Sequence, residues 1–425
     1  MPIEPNIYFF IILLTVIGLY ALSLISNLLN LKALSPNLPN EFADTYDPEK
    51  YRLSQDYTCV TTRFGLLASA TSLCIFLAFW LCGGFEWLDQ FSRNFKQGPI
   101  ATGIIFISLL FLAGHFLDLP FEIYDTFVIE ERFGFNKTTP AVFVLDQVKS
   151  LLLSAALGIP ILALLLYLFS SYEYAWLYGW IAVSALSLLL VYLAPRFILP
   201  LFNKFSPLED GDLKSAIHDM AQKCNFPLTE VSIMDGSKRS NKSNAFFTGF
   251  GKNKKIALFD TLIKNHGTQE LVAVLAHEIG HFKKRHIHQG IILGILQTGL
   301  LFFIFNLFLN NPELFAAFGV SQVSVYLSLV LFALLFKPIN KILSVLLAIL
   351  SRKNEFEADA YAAKHTGSPE SLITALKKLS ADNLSNLTPH PLLVFLTYSH
   401  PPTLKRIAAL RSLAHPGPQD LQKLS

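Results

Sequence analysis

The stretch VLAHEIGHFKKRH, residues 274–286, decides how the chain is read, because it leads straight into IHQGIILGILQTGLLFFIFNLFLNN, residues 287–311. The first segment holds three histidines, the first two of them four residues apart, a glutamate next to the first, and a basic run before the last; the second is apolar enough for lipid. On an α-helix His277 and His281 lie on one face, a turn apart. That spacing suits two imidazole ligands on one Zn²⁺, with Glu278 beside the metal as base for a water that attacks a carbonyl. Chance generates HExxH in roughly one chain in a hundred of this length, so a pair of surface histidines is the alternative to weigh.

Composition points to a membrane. The 425 residues are 52% hydrophobic and 15% charged, with 37 phenylalanines, whereas soluble chains average about 25% charged. A scattered net charge of +3 excludes a nucleic-acid partner. Cys59, Cys74, Cys82 and Cys224 form no CxxC pair and read as buried thiols. A span needs about 20 apolar residues. Seven runs qualify: 7–29, 64–88, 100–120, 149–171, 174–200, 288–310 and 322–350. The first lacks a preceding basic residue and reads as a retained span rather than a signal peptide. His115, Asp118 and Lys337 fall inside runs, so they are expected to face protein or water. Basic residues at 32, 50, 52, 63, 132 and 137 favour an outside N-terminus and a cytosolic C-terminus.

The organisation expected is therefore a mainly α, multi-pass membrane protein. Helices 1–5 and their loops occupy 1–200, a cytosolic part 201–287, helices 6–7 288–350, and a second cytosolic part 351–425. Within 201–287, VSIMDG (231–236) reads as a strand, and NAFFTGFGKNKKIALFD (244–260) as two strands around a turn at Gly251, Lys252 and Asn253. Thr268 is the expected N-cap of a helix that runs unbroken from there to Asn310, on the order of 60 Å. His286 and His288, among Lys283, Lys284 and Arg285, read as a basic collar at headgroup level.

Catalytic zinc keeps three protein ligands and an open position, so a third ligand is required. SRKNEFEADAYAAKH (351–365) supplies acids, and YSHPPTLKRI (398–407) supplies His400 in a Pro-Pro context. With AHEIGH, DGSKRSNKSNAFFTG, FVIEERFGFNKTT and APRFILPLFNKFSPL, these segments resemble the type I CAAX prenyl endopeptidases, seven-span zinc proteases, over nearly the whole chain. The resemblance implies a helical barrel around an intramembrane chamber, capped by a cytosolic zinc protease domain with a small β-sheet. It implies His277, His281 and Glu355 as zinc ligands, Glu278 as catalytic base, and Asp359 as the acid next to the metal. It further implies that His400 and Arg406 face the substrate, and that Asn244, Ala245 and Phe246 form the edge strand that pairs with an extended peptide.

Helix geometry agrees on the third ligand. Glu355 and Asp359 lie within about 40° of each other, whereas Glu357 points about 200° from Glu355 and reads as a solvated acid. The function expected is zinc-dependent hydrolysis near the C-terminus of CAAX-type prenylated or other membrane-associated peptides, with lipid as the other partner. The alternatives are a broad membrane quality-control protease and a transporter with a structural zinc. The long insertions and C-terminal retrieval signals of some eukaryotic members are missing, which favours a bacterial inner membrane over the endoplasmic reticulum as the location.

Overall fold

The computed structural model describes residues 2–248 and 254–414. Helices α1 (Ile7–Ala33), α2 (Pro48–Leu81), α3 (Gly84–Arg93), α4 (Pro99–Tyr124), α5 (Pro140–Ser171), α6 (Ala175–Leu193) and α7 (Leu199–Phe202) come first. π-helical turns at Asp125–Glu130 and Ala194–Ile198 extend α4 and join α6 to α7. Strand β1 (Phe205–Pro207), α8 (Asp212–Lys223), β2 (Leu228–Met234), β3 (Ala245–Thr248), β4 (Lys254–Phe259) and α9 (Asp260–Asn265) follow. The chain continues through α10 (Thr268–Lys283), α11 (His286–Phe308), α12 (Pro312–Ala316), α13 (Val325–Leu335), α14 (Lys337–Thr366), α15 (Glu370–Asp382), α16 (Pro391–Thr397) and α17 (Thr403–Ala414).

Six of these helical segments are long and apolar enough to cross a membrane singly. The pair α13 and α14, bent by 54°, passes the same test only when taken together, which makes six to seven candidate spans among the described residues. Pro338, in the first turn of α14, has no N–H to continue the ladder of α13, and Lys337 Nζ lies 5.6 Å from the Phe76 ring centre, against protein. Few side chains of the spans are buried; Leu14, Leu152 and Leu307 each expose more than 60% of their surface. In water that would be ruinous, and in lipid it costs nothing.

The second span differs from the expected run at both ends. The second span begins at Pro48 rather than residue 64, because the Asp47 carboxylate caps it by accepting the Glu49 N–H at 2.7 Å. It ends before Gly83, whose φ of 77° turns the chain into α3, so residues 84–88 belong to a separate helix. The long helix from residue 268 is also broken. Lys284 closes α10 by donating its N–H to Gly280 O, and Arg285 adopts φ 61°, ψ 26° before α11 starts afresh at His286. Thr268 is the first helical residue; Gly267 occupies the cap position, its N–H held by the Glu270 carboxylate at 2.9 Å.

The strands form one mixed sheet in the order β1-β2-β4-β3. β2 and β4 run parallel with Val231 opposite Ile256, and β3 pairs antiparallel to β4 with Ala245 opposite Leu258. The turn expected at Gly251–Asn253 lies outside the described residues. β3 is therefore an edge strand among the described residues. Because Phe259 N–H donates to Asn244 O, residues 244 and 259 are a hydrogen-bonded pair and 245 and 258 are not. Alternation then turns the main-chain groups of Ala245 and Phe247 to the open side of β3.

The sheet, α8, α10 and α15 enclose a core that includes Ile217, Ile256, Leu262, Leu271, Leu275, Leu372 and Ile373. Phe42 and Tyr46, from the segment between α1 and α2, and Tyr51, in the first turn of α2, complete it, and Tyr46 donates its hydroxyl to Ser380 O at 3.3 Å. α10 is buried almost all round, as it is seated against α14, α15 and α8. Gly280 is where α10 and α14 come closest: a Cβ there would stand 3.0 Å from Ala358 Cα.

Candidate metal centre

Two helices meet at the site. α10 presents His277 and His281, four residues apart on one face, and α14 presents Glu355 and Asp359 with the same spacing. His277 Nε2 lies 3.1 Å from His281 Nε2, His281 Nε2 lies 3.3 Å from Glu355 Oε1, and His277 Nε2 lies 3.6 Å from Glu355 Oε2. Glu355 is buried, and its Oε2 has no hydrogen-bond partner among the described residues.

These donors fit a small cation. Bonds of about 2.0–2.1 Å in a tetrahedron place ligand atoms ~3.3 Å apart, near the separations observed. The outer contacts fix the tautomer: His277 Nδ1 lies 2.8 Å from Asp359 Oδ1, so the imidazole proton resides there and the Nε2 lone pair faces the centre. A buried carboxylate oxygen without a donor and two inward-facing imidazole lone pairs are a ligand set, not a hydrogen-bonded core.

Arg406, from α17, is buried and grips Asp359 with two parallel bonds, Nε to Oδ2 at 2.8 Å and Nη2 to Oδ1 at 2.6 Å. Its remaining Nη1 points toward Glu355 Oε2 at 3.5 Å. His400 stands at the mouth with Nε2 3.5 Å from Glu355 Oε1, and Ser399 Oγ lies 3.0 Å from its Nδ1. Glu278 follows His277 on α10. Burial pushes its carboxyl above the usual carboxylate range, with His277 and His281 pulling it back part of the way.

Two cavities meet at Glu278. One, of about 150 Å³, is lined by Asn244, Ala245, His277, Glu278, His400 and Arg406 among others, so the start of the edge strand opens onto the donor set. The other, of about 530 Å³, descends between α11 and α14 past Leu293, Leu347 and Leu350. The residues that the sequence offered as metal ligands, catalytic groups or substrate contacts are thus at or beside one centre, except that the side chain of Phe246 lies outside the described residues.

Of the four cysteines read as buried thiols only Cys224 is buried, Cys74 and Cys82 being exposed, and two residues near the centre also differ from their reading. His286 is buried rather than part of a collar, its Nδ1 3.1 Å from His281 Nδ1, while His288 is exposed. Glu357 is only partly solvated, with Oε2 3.4 Å from His286 Nε2. Helical periodicity could find neither contact, because both depend on the break at Arg285. His115 is half-buried and Asp118 exposed.

Comparison with known proteins accounts for this arrangement. Residues 27–204 match the family described as CAAX prenyl protease N-terminal, five membrane helices, and residues 207–414 match Peptidase family M48. The human CAAX prenyl protease 1 homolog is 34% identical over 464 residues, covering 97% of each chain. CAAX prenyl protease 1 of Saccharomyces cerevisiae is 35% identical over 89% of each. A crystal structure of S. mikatae Ste24p superposes with a TM-score of 0.91 at 33% identity, covering 96% of this chain and 100% of that one. Relatives from human and yeast do not favour the bacterial inner membrane expected from the sequence; what holds is a multi-pass membrane protein. With both halves of the chain matched and a metal-type donor set inside the peptidase half, the protein belongs to the M48 peptidases of the CAAX prenyl protease family and is a membrane metalloendopeptidase.

Proposed function

We propose that the metal is zinc, held by His277, His281 and Glu355, and that the chain hydrolyses a peptide bond near the C-terminus of CAAX-type prenylated or other membrane-associated peptides, with the centre on the cytosolic side. The observation that carries this reading is the shared cavity: Ala245, at the start of the edge strand β3, lines one cleft with Glu278 and with His277 and Glu355, two of the three converging donors. Zinc bound there supplies Lewis-acid activation of water and of the scissile carbonyl.

The chain's own residues do the rest. An extended peptide adds to β3 by main-chain bonds to Ala245 and Phe247, which orients it with little demand on sequence. Glu278, whose burial strengthens it as a base, takes the proton from the attacking water and delivers it to the leaving amine. His400 donates to the carbonyl oxygen as charge develops there. Asp359, held by Arg406, fixes the ring of His277. The apolar slot between α11 and α14 suits the greasy end of such a substrate.

A transporter with a structural zinc would close its metal with four protein ligands, and three converge among the described residues with Glu278 alongside. The test is the purified protein with matched prenylated and unprenylated peptides. Glu278→Gln should retain the metal and lose about 10²–10⁴-fold in turnover. Near-normal turnover in that variant removes the mechanism, and equal cleavage of both peptides favours the broad quality-control reading.

A further inference from the structure

We infer that His286 and Glu357 form an outer chain that positions His281 for the metal, and that the break between α10 and α11 exists to make this contact. The inference rests on the metal-centre reading above. Its first support is a consequence of hydrogen-bond bookkeeping. His281 Nε2 faces the centre, 3.1 Å from His277 Nε2 and 3.3 Å from Glu355 Oε1. Its lone pair being committed there, its proton sits on Nδ1, and the atom next to it is His286 Nδ1 at 3.1 Å. His286 therefore accepts at Nδ1 and carries its own proton on Nε2, which lies 3.4 Å from Glu357 Oε2. Each donor in the series meets an acceptor, and the series ends on a carboxylate that is 38% exposed and neighboured by Lys353 Nζ at 3.9 Å.

The second support is the backbone. In an unbroken helix residues 281 and 286 would point roughly 140° apart and their rings could not meet. Arg285 instead adopts a left-handed conformation, φ 61°, that non-glycine residues avoid. That turn carries His286 back over the last turn of α10, ring centre 5.1 Å from that of His281. A strained residue that creates one polar contact beside a metal ligand is a device for the site, not an accident of the span. The centre then has two matched arms. Asp359, tied to Arg406, holds His277; His286, tied to Glu357, holds His281.

The test measures zinc affinity, not turnover. The full chain is purified in detergent, stripped of metal, and titrated with zinc chloride against a chromophoric chelator. His286→Phe keeps a ring but no acceptor, and its dissociation constant should rise about 10- to 100-fold, the scale set by loss of such outer partners. His286→Asn, whose Oδ1 can accept from His281, should stay within about threefold of the native value. The melting temperature of the metal-free chain separates positioning from packing. Native affinity in His286→Phe overturns the inference, as does equal weakening in the Phe and Asn variants. If His286→Phe does not fold, His286→Leu carries the same expectation. His281→Ala is the control for the centre itself: retained zinc binding there would undo the ligand assignment rather than this outer chain.

Discussion

Gly280 sets the distance between the two halves of the metal centre, and Gly280→Ala tests that directly. A Cβ at this position would stand 3.0 Å from Ala358 Cα, 3.1 Å from Ala358 O and 3.2 Å from Tyr361 Cβ. Non-bonded carbons rest at about 3.5–4.0 Å, so the shortfall is ~0.5 Å. Two of the three obstructing atoms are backbone and cannot rotate aside, so α10 and α14 must separate by about that much. Gly280 neighbours His281, and Ala358 neighbours Asp359 and lies one turn from Glu355. Ligand distances tolerate about ±0.2 Å, which the separation exceeds. Overpacking costs about 1–3 kcal/mol, and alanine in place of glycine in a helix returns about 1 kcal/mol. The net loss in stability is then on the order of 0–2 kcal/mol, while zinc affinity falls on the order of tenfold or more. Zinc titration alongside the melting temperature of the metal-free chain reads both. Gly290→Ala, where an added Cβ meets nothing within 4 Å, is the matched control and should leave affinity unchanged. Native affinity in Gly280→Ala would refute the claim that this contact spaces the ligands.

Other consequences follow from the same geometry. Asp359→Asn should weaken zinc binding about 10- to 100-fold, since it loosens His277, and should lower the melting temperature because Arg406 stays buried without its counter-charge; unaltered binding would leave Asp359 a structural partner of Arg406 alone. Ala245→Pro removes an N–H on the open side of β3 without touching the ladder to β4, so the protein should fold and bind zinc while KM rises; an unchanged KM would count against strand addition. His400→Ala should cost about 10²-fold in kcat with metal content kept, and a fall confined to the melting temperature would make it a structural residue.

What the sequence made legible was what local periodicity can carry. The paired histidines, the Glu355–Asp359 pair and the apolar runs each depend only on residue spacing along one helix. The misreadings share another cause. Lys283, Lys284 and Arg285 hold neither glycine nor proline, so nothing local announces a left-handed residue at 285. The contact that stabilises it, His286 on His281 and Glu357, needs α14 in place. Phe42, Tyr46 and Tyr51 join the protease core beside α15, where Tyr46 donates to Ser380 O, a contact between residues more than 300 apart that spacing along one helix does not show. Gly83, by contrast, was a visible punctuation mark that the apolar run overshadowed.

Charge explains why these groups can share so small a space. Glu278, Glu355 and Asp359 are all at or near burial, and Arg406 is the one permanently charged cation among them. Three carboxylates against one guanidinium leave two negative charges in a site shielded from water, an arrangement that costs several kcal/mol per uncompensated ion. Two imidazole nitrogens, His277 Nε2 and His281 Nε2, face the same centre 3.1 Å apart. On the proposed reading a divalent cation would answer both at once: it would offset the negative charge and take the lone pairs of the two imidazoles. The same balance explains why Arg406 is spent on Asp359 rather than left free at the centre. Aimed at Glu355 through more than one nitrogen, it would neutralise the ligand that the metal needs; locked in the plane of Asp359, it keeps that carboxylate charged and able to hold His277 in the tautomer that the metal requires.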